Sequence, residues 1–113
     1  MPYIPEQGDI VNLDFNPQAG HEQRGNRPAL VVSNNTFNRC THIAVVCPIT
    51  NTDREFPLHI PLDDKTSTTG VIMCEQAKSL DITARNAVFK EKAPSDILEE
   101  VIDVIIGFFE KES

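Results

Sequence analysis

The chain has no Trp and a single Tyr among its 113 residues. A groove that grips nucleic acid mainly by stacking bases on aromatic rings is therefore not expected. Its three cysteines, Cys40, Cys47 and Cys74, are odd in number and irregular in spacing. No CxxC and no Cys/His ligand pattern occurs, which argues against a disulfide framework and a zinc site. Cys47 and Cys74 sit in apolar runs and read as buried small hydrophobes. Free thiols fit a reducing cytoplasm. The start Met1-Pro2-Tyr3-Ile4-Pro5-Glu6-Gln7 lacks the basic residues and apolar stretch of a signal peptide. No apolar run approaches the length of a membrane span, so a cytoplasmic protein with no membrane partner is expected. Also missing are HExxH, paired metal-ligand carboxylates, a P-loop and GxSxG, which removes the commonest metal, nucleotide and serine-hydrolase chemistries.

What is present suits one domain spanning residues 1–113. At 40% hydrophobic residues a real core is possible, and the large surface fraction of so small a domain makes a homo-oligomer reasonable. The net charge of −7 argues against a protein that coats nucleic acid. The charge is uneven, however. Residues 16–54 carry Arg24, Arg27, Arg39 and Arg54 against Glu22 and Asp53, a net +2, whereas residues 91–113 carry a net −5. A local cationic site upstream of an acidic helix is compatible with this pattern.

Residues 1–7 read as a loose arm. Val11, Leu13 and Phe15 alternate with Ile10, Asn12 and Asp14 as in a half-buried strand. Residues 16–26, with Pro17, Gly20 and Gly25, form a long loop, and loops of this length in small domains are often functional. Further strands are expected at 29–33, 43–49, 56–62, 71–75, 76–80 and 87–90, with a turn or short helix at 34–41. Pro57 and Pro61 mark the 56–62 strand as an edge. The period then changes: Ile97, Leu98, Val101, Ile102, Ile105, Phe108 and Phe109 share one helical face over residues 95–111. Ser95 is its expected N-cap. Six or seven short strands followed by one helix predict a mainly β fold, a small barrel with a C-terminal α-helix packed on it.

Three groups could carry chemistry. His21, Glu22, Arg24 and Arg27 lie close together on a loop that ends where Arg27-Pro28 enters a buried strand. Arg27 offers a planar fork of donors for a phosphate, and His21 and Glu22 could move protons, unless Glu22 and Arg27 form a structural ion pair. Thr50 ends a buried strand and could donate to a phosphoryl oxygen, or simply make a turn. Glu75 follows Val71-Ile72-Met73-Cys74 and could be a base with a raised pKa, or face outward. These groups fit a ribonuclease, because RNA carries its own nucleophile. A base removes the 2′-hydroxyl proton, and cations and hydroxyls stabilise the charge on the phosphorane, with no metal or other cofactor required.

At this level of detail the chain resembles the MazF/PemK family of bacterial toxins. The resemblance rests on Gly8-Asp9-Ile10-Val11, Asp14-Phe15-Asn16-Pro17 and Gly20-His21-Glu22-Gln23, then on Gly25-Asn26-Arg27-Pro28-Ala29-Leu30-Val31-Val32. Phe37-Asn38-Arg39, Val46-Cys47-Pro48-Ile49-Thr50, Thr68-Thr69-Gly70-Val71 and Cys74-Glu75-Gln76 are similar to the Kid (PemK) and ChpB branch, and the likeness continues through residues 79–85. The resemblance implies an SH3-like barrel, a homodimer, and metal-independent, sequence-specific cleavage of single-stranded RNA to 2′,3′-cyclic phosphate and 5′-hydroxyl ends. It also implies a cognate, MazE-like antitoxin with an acidic tail that blocks the RNA groove. Carried over residue by residue, it implies catalytic roles for Arg27, Thr50 and Glu22, and for His21 and Glu75 as two members of a Kid-type triad. It further implies RNA contacts at Gln23, Asn26, Asn51, Phe56, Thr69, Gln76, Lys78 and Arg85.

One departure matters. The third member of the Kid-type triad is an arginine, and here that position is Met73, which carries no charge and donates no proton. Arg27 must then supply the main cationic stabilisation, acting electrostatically instead of as a proton donor. A gyrase poison resembling CcdB would share the fold but ends in Trp-Gly-Ile. This chain has no Trp and ends Phe109-Glu110-Lys111-Glu112-Ser113, so that alternative is the weaker one.

Overall fold

Alternating apolar and polar side chains turn Asp9–Asp14 into the first strand, β1. In the computed structural model, which describes residues 3–15, 25–52 and 55–113, the following elements are β2 (Asn26–Val31), α1 (Asn35–Thr41), β3 (Ile43–Thr50), β4 (His59–Pro61) and β5 (Val71–Met73). A single 3-10 turn (Cys74–Gln76), β6 (Lys78–Asp81), β7 (Val88–Lys92) and α2 (Ser95–Gly107) complete the chain. The seven strands pair antiparallel in the order β4-β5-β3-β2-β1-β7, with β6 also on β3.

β3 is the hub. One of its edges pairs with β2. Its other edge pairs with β6 over Ile43–Val46 and with β5 at Ile49 and Thr50. A strand shared in this way folds the sheet over, and both faces are buried. Ile10, Leu30, Cys47, Ile49, Ile60 and Ile72 pack with Ile97 and Val101 of α2. Val11, Leu13, Phe15, Ala29, Val31, Ala44, Val46 and Leu80 form a second core on the opposite face. The mainly β architecture with a C-terminal helix is as expected. Cys47 and Cys74 are buried free thiols, also as expected. Burial raises both, Cys74 to about 11, and keeps them protonated and inert.

Several boundaries differ from expectation. The arm is not loose over the described residues 3–7. Pro5 is buried, its carbonyl accepts from Asn38 Nδ2 at 2.8 Å, and Gln7 N donates to Asn35 Oδ1 at 2.8 Å. Polar side chains of α1 thus satisfy backbone groups that would otherwise need water. The expected edge strand shrinks to His59–Pro61, because Phe56 to Leu58 turns and His59 N closes on Phe56 O at 3.0 Å. Ser95 is the first helical residue and not the cap. Pro94 takes the N-cap position without a side-chain bond, its carbonyl accepting from Leu98 N at 3.1 Å. The helix ends at Gly107, short of 111, and Phe108 and Phe109 are 43% and 81% exposed, away from the core. Gly107 has poor helix propensity, and Phe109 beyond it gains little burial to offset that. Among the described residues no helix is long and apolar enough to cross a membrane.

Candidate functional site

The register of β1, β2, β3 and β5 brings scattered residues to one edge of the sheet. β2 starts where β3 ends. The β2–β3 ladder ends where Ala29 pairs with Pro48, two residues short of Arg27 on β2 and of Thr50 on β3. Arg27 is half-buried and pairs on its other side with Leu13. Thr50 pairs with Val71 of β5. By the pleat, Arg27 shares a face with Ala29 and Val31, and Thr50 with Val46, so both sit at the mouth of the second core. Asn26, exposed, pairs with Asp14, whose N–H donates to Arg85 O at 2.9 Å. Arg85 Nη1 returns to Asp14 O at 3.5 Å. Arg85, Asn26, Arg27 and Thr50 therefore follow one another across neighbouring strand ends.

Thr50 is 6% exposed, and its Oγ1 accepts from Thr52 N at 3.1 Å. Among the described residues no acceptor takes its hydrogen, which leaves the hydroxyl able to donate. Asn51 Oδ1 accepts from Thr69 Oγ1 at 2.9 Å. Gly70 has φ +116°, and a Cβ there would lie 2.3 Å from the Thr50 carbonyl oxygen. Only glycine permits both this backbone conformation and this approach.

A second group lies at the far end of β5. Met73 pairs with His59, and Val71 with Pro61. Val71 and Met73 stand on one face, two residues or roughly 7 Å apart. His59 Nε2 lies 3.0 Å from Glu75 Oε2, with side-chain exposures of 9% and 27%. Phe56, partly exposed, meets the His59 ring edge-on at 5.2 Å. Glu75 is not inside the strand, as its apolar neighbours implied. The strand ends at Met73, and Glu75 projects from the 3-10 turn, exposed and tied to His59. Gln76 Nε2 approaches Met73 Sδ at 3.7 Å, while its Oε1 is buried with no hydrogen-bond partner among the described residues. Lys78 opens β6 opposite Val46.

The loop carrying His21, Glu22, Gln23 and Arg24 lies outside the described residues. Its stems are joined: Phe15 N donates to Gly25 O at 2.9 Å. The described candidates thus form a band from Arg85 through Asn26, Arg27, Thr50, Asn51 and Thr69 to Glu75 and Phe56. Sequence reasoning missed His59. Its only sequence signal is a lone histidine in an otherwise apolar edge strand. Among the described residues, no three His, Cys, Asp or Glu side chains are grouped so as to hold a metal ion.

Comparison with known proteins identifies the family. A family model described as PemK-like, MazF-like toxin of type II toxin–antitoxin system matches residues 6–109. The chain is 40% identical over 101 residues to the endoribonuclease PemK of Escherichia coli, covering 86% of this chain and 76% of that protein. The crystal structure of MazF (Form-I) from Deinococcus radiodurans superposes with a TM-score of 0.89 at 37% identity, covering 95% of this chain and 97% of that one. The MazE–MazF (Form-II) structure from the same organism gives 0.83 at 37% identity, covering 95% and 96%.

Proposed function

This chain belongs to the PemK-like, MazF-like toxin family of type II toxin–antitoxin systems, and from that premise we propose that it is an endoribonuclease cutting single-stranded RNA at the band of residues around Arg27 and Thr50. The observation that carries the proposal is that Arg27 and Thr50 each lie two residues beyond the last β2–β3 pair, Ala29 with Pro48, on strands that line the second core. A guanidinium and a hydroxyl, held on neighbouring strand ends, form a rigid clamp for a phosphodiester.

The chemistry follows from the substrate. The 2′-hydroxyl attacks the adjacent phosphorus, the 5′-oxygen leaves, and the products are a 2′,3′-cyclic phosphate and a 5′-hydroxyl. Charge gathers on the non-bridging oxygens in the transition state. Arg27 and the Thr50 hydroxyl supply donors where that charge develops, and such preorganised donors contribute most when fixed in advance. The Glu75–His59 pair at 3.0 Å is built for proton transfer. Glu22 and His21 of the loop are proposed to complete the acid–base set. Met73 stands where the resemblance to a Kid-type triad implies an arginine, so Arg27 is proposed to carry more of the charge stabilisation. Gln23, Asn26, Asn51, Phe56, Thr69, Gln76, Lys78 and Arg85 are proposed to line the RNA path. Because RNA supplies the nucleophile, no metal ion or other cofactor is required.

The partners follow by the same premise. Solved relatives include MazE–MazF complexes, and an antitoxin with an acidic segment suits the arginines of this band. A homodimer acting in the cytoplasm is part of the proposal. The test is cleavage of single-stranded RNA in EDTA with end-group analysis. Expected are 5′-hydroxyl and 2′,3′-cyclic phosphate ends. A strict need for Mg²⁺, or 5′-phosphate ends, would overturn the mechanism.

A further inference from the structure

The loop between β4 and β5 meets β7 through one carboxylate. Glu91 Oε2 accepts from Thr68 N at 2.8 Å, Thr68 Oγ1 at 2.7 Å and Ser67 Oγ at 2.8 Å. Its Oε1 accepts from Ser67 N at 3.1 Å. β4 and β7 end the strand order on opposite sides, so Glu91 links regions that no ladder joins.

A bulge puts the carboxylate there. Ile10 pairs with Glu91, but Val11 pairs with Phe89, leaving Lys90 unopposed. Ile10 belongs to the core beneath α2 and Val11 to the core on the other face. Paired residues share a face, so the extra residue turns Glu91 toward the α2 side and Phe89 away from it. In a regular strand these two side chains would point the same way.

The clamped segment runs directly into the site. Thr68 is held by Glu91, and its carbonyl accepts from Thr66 Oγ1 at 2.7 Å. The next residue, Thr69, donates to Asn51 Oδ1 at 2.9 Å, and Gly70 lies against the Thr50 carbonyl. On the loop's other side Lys65 pairs with Asp63 at 3.7 Å and with Asp96 at 3.6 Å, but these side chains are about half exposed and hold weakly. On the β5 side, Gly70 O accepts from Leu62 N at 3.0 Å and Val71 pairs with Thr50 and Pro61, so the four bonds to Glu91 are the restraint on the other side of Thr69, where the loop has no ladder.

We propose that Glu91 is a positioning residue for RNA cleavage: by clamping Ser67 and Thr68 it presses Thr69 and Gly70 onto Asn51 and Thr50 and fixes the width of the RNA site. This rests on the reading of the Thr50 edge as the cleavage site. Glu91 itself touches neither RNA nor the reacting atoms.

The experiment is a double-mutant cycle on the full-length protein, with E91A, E91Q, T69V and E91A/T69V assayed on single-stranded RNA. Circular dichroism would show each variant folded at the assay temperature. Misplacing catalytic groups by about 1 Å can slow a reaction up to roughly 100-fold, so E91A is expected to lower kcat/KM by about 10- to 100-fold. E91Q keeps one acceptor oxygen and is expected to restore part of that loss. In the T69V background, where the contact to Asn51 is already gone, E91A is expected to change kcat/KM by less than about threefold, since coupled residues are not additive. Full additivity, or E91A activity within about twofold of wild type, would overturn the proposal. If E91A does not fold, E91Q replaces it in the cycle. A second readout needs no catalysis: the amide resonances of Asn51 and Thr52 should move in E91Q without RNA, and unmoved resonances would overturn the coupling. A wild-type protein that cuts no RNA would defeat the cleavage reading alone, and those resonances would still decide the Glu91 contact.

Discussion

The start of β1 and the candidate site handle polar groups in opposite ways. In the former, Asp9 is 2% exposed, takes hydrogen bonds from Tyr3 OH and from Glu6 N, and pairs with Lys92. Burial, and then the Asp9 carboxylate, hold the Tyr3 phenol protonated far above its ordinary range. The hydrogen bond to Asp9 likewise raises Lys92. Asp9 Oδ2 takes the hydrogen bonds from Tyr3 and Glu6, whereas the buried Oδ1 faces only the Lys92 ammonium, so the cluster is closed by charge as well as by hydrogen bonds. Around Thr50 and on the 3-10 turn after β5, the candidate site keeps valence in reserve. Thr50 has a hydrogen to give, Gln76 Oε1 lacks a partner among the described residues, and Glu75 is open to solvent beside His59. Polar groups that saturate each other hold the fold, whereas groups left unsaturated on rigid strand ends are available to a ligand.

The sharpest way to break this contrast is at the open site. Arg27→Ala is expected to lower RNA cleavage by about 100- to 1000-fold, the range seen when one preorganised donor to transition-state charge is removed. Its thermal midpoint should stay within a few degrees of wild type. Normal cleavage by a folded variant would take Arg27 out of the site. Gly70→Ala should strike both properties. The new Cβ meets the Thr50 carbonyl at 2.3 Å in a backbone conformation with φ +116°. Strain of this kind costs about 1–3 kcal/mol, which urea denaturation would register, and relief by displacing Thr50 should lower kcat. A variant as stable and active as wild type would mean that the approach of Gly70 to Thr50 is dispensable.

Much of this was legible in the sequence, and the misses have physical reasons. Alternation in 10–15 and the 3.6-residue period after 95 came from burial on one face, which any single sequence displays. Arg27 and Thr50 stand out singly, yet only the pairing of β2 with β3 brings their two strand ends side by side. His59 and Glu75 are sixteen residues apart and meet because β4 and β5 pair. Nothing local in His59-Ile60-Pro61 announces that contact. Nothing local marks Glu91, because a single unopposed residue, Lys90, decides which way it faces. The arm was read as loose for want of any pattern in residues 1–7, while its restraint comes from Asn35 and Asn38 on α1. Propensity and period capture elements, and tertiary pairing decides what the polar residues do.

At the start of β1, Asp9→Asn tests whether the cluster is structural. Asn keeps the shape but loses the charge that Lys92 pairs with, and one of its atoms becomes a donor facing other donors. Hydrogen bonds to charged groups contribute about 1.5–3 kcal/mol, and Lys92 is half exposed, which weakens its share. A loss of about 2 kcal/mol in urea denaturation is expected, with RNA cleavage by the folded fraction unchanged. Equal losses of stability and specific activity would erase the distinction between the two regions.

The smallest effect is the pH dependence of the Glu91 clamp, which joins the structural and chemical regions. Desolvation raises the Glu91 carboxyl, but the bonds from Thr68 and Ser67 outweigh it and lower the value to about 2. A folded value below the unfolded one means that the unfolded chain binds the proton first as pH falls. The clamp's stabilisation is therefore full above the ordinary glutamate value and is lost as pH drops from about 4.5 toward about 2. Solvent around the carboxylate keeps the magnitude modest. Urea midpoints of wild type and Glu91→Gln should differ at neutral pH and converge across that acid window, because the variant has no charge there to lose. Carboxylates common to both proteins, Asp9 included, cancel in the difference. A gap that persists undiminished to about pH 2 would mean that the four bonds act through shape alone and not through the charge of Glu91.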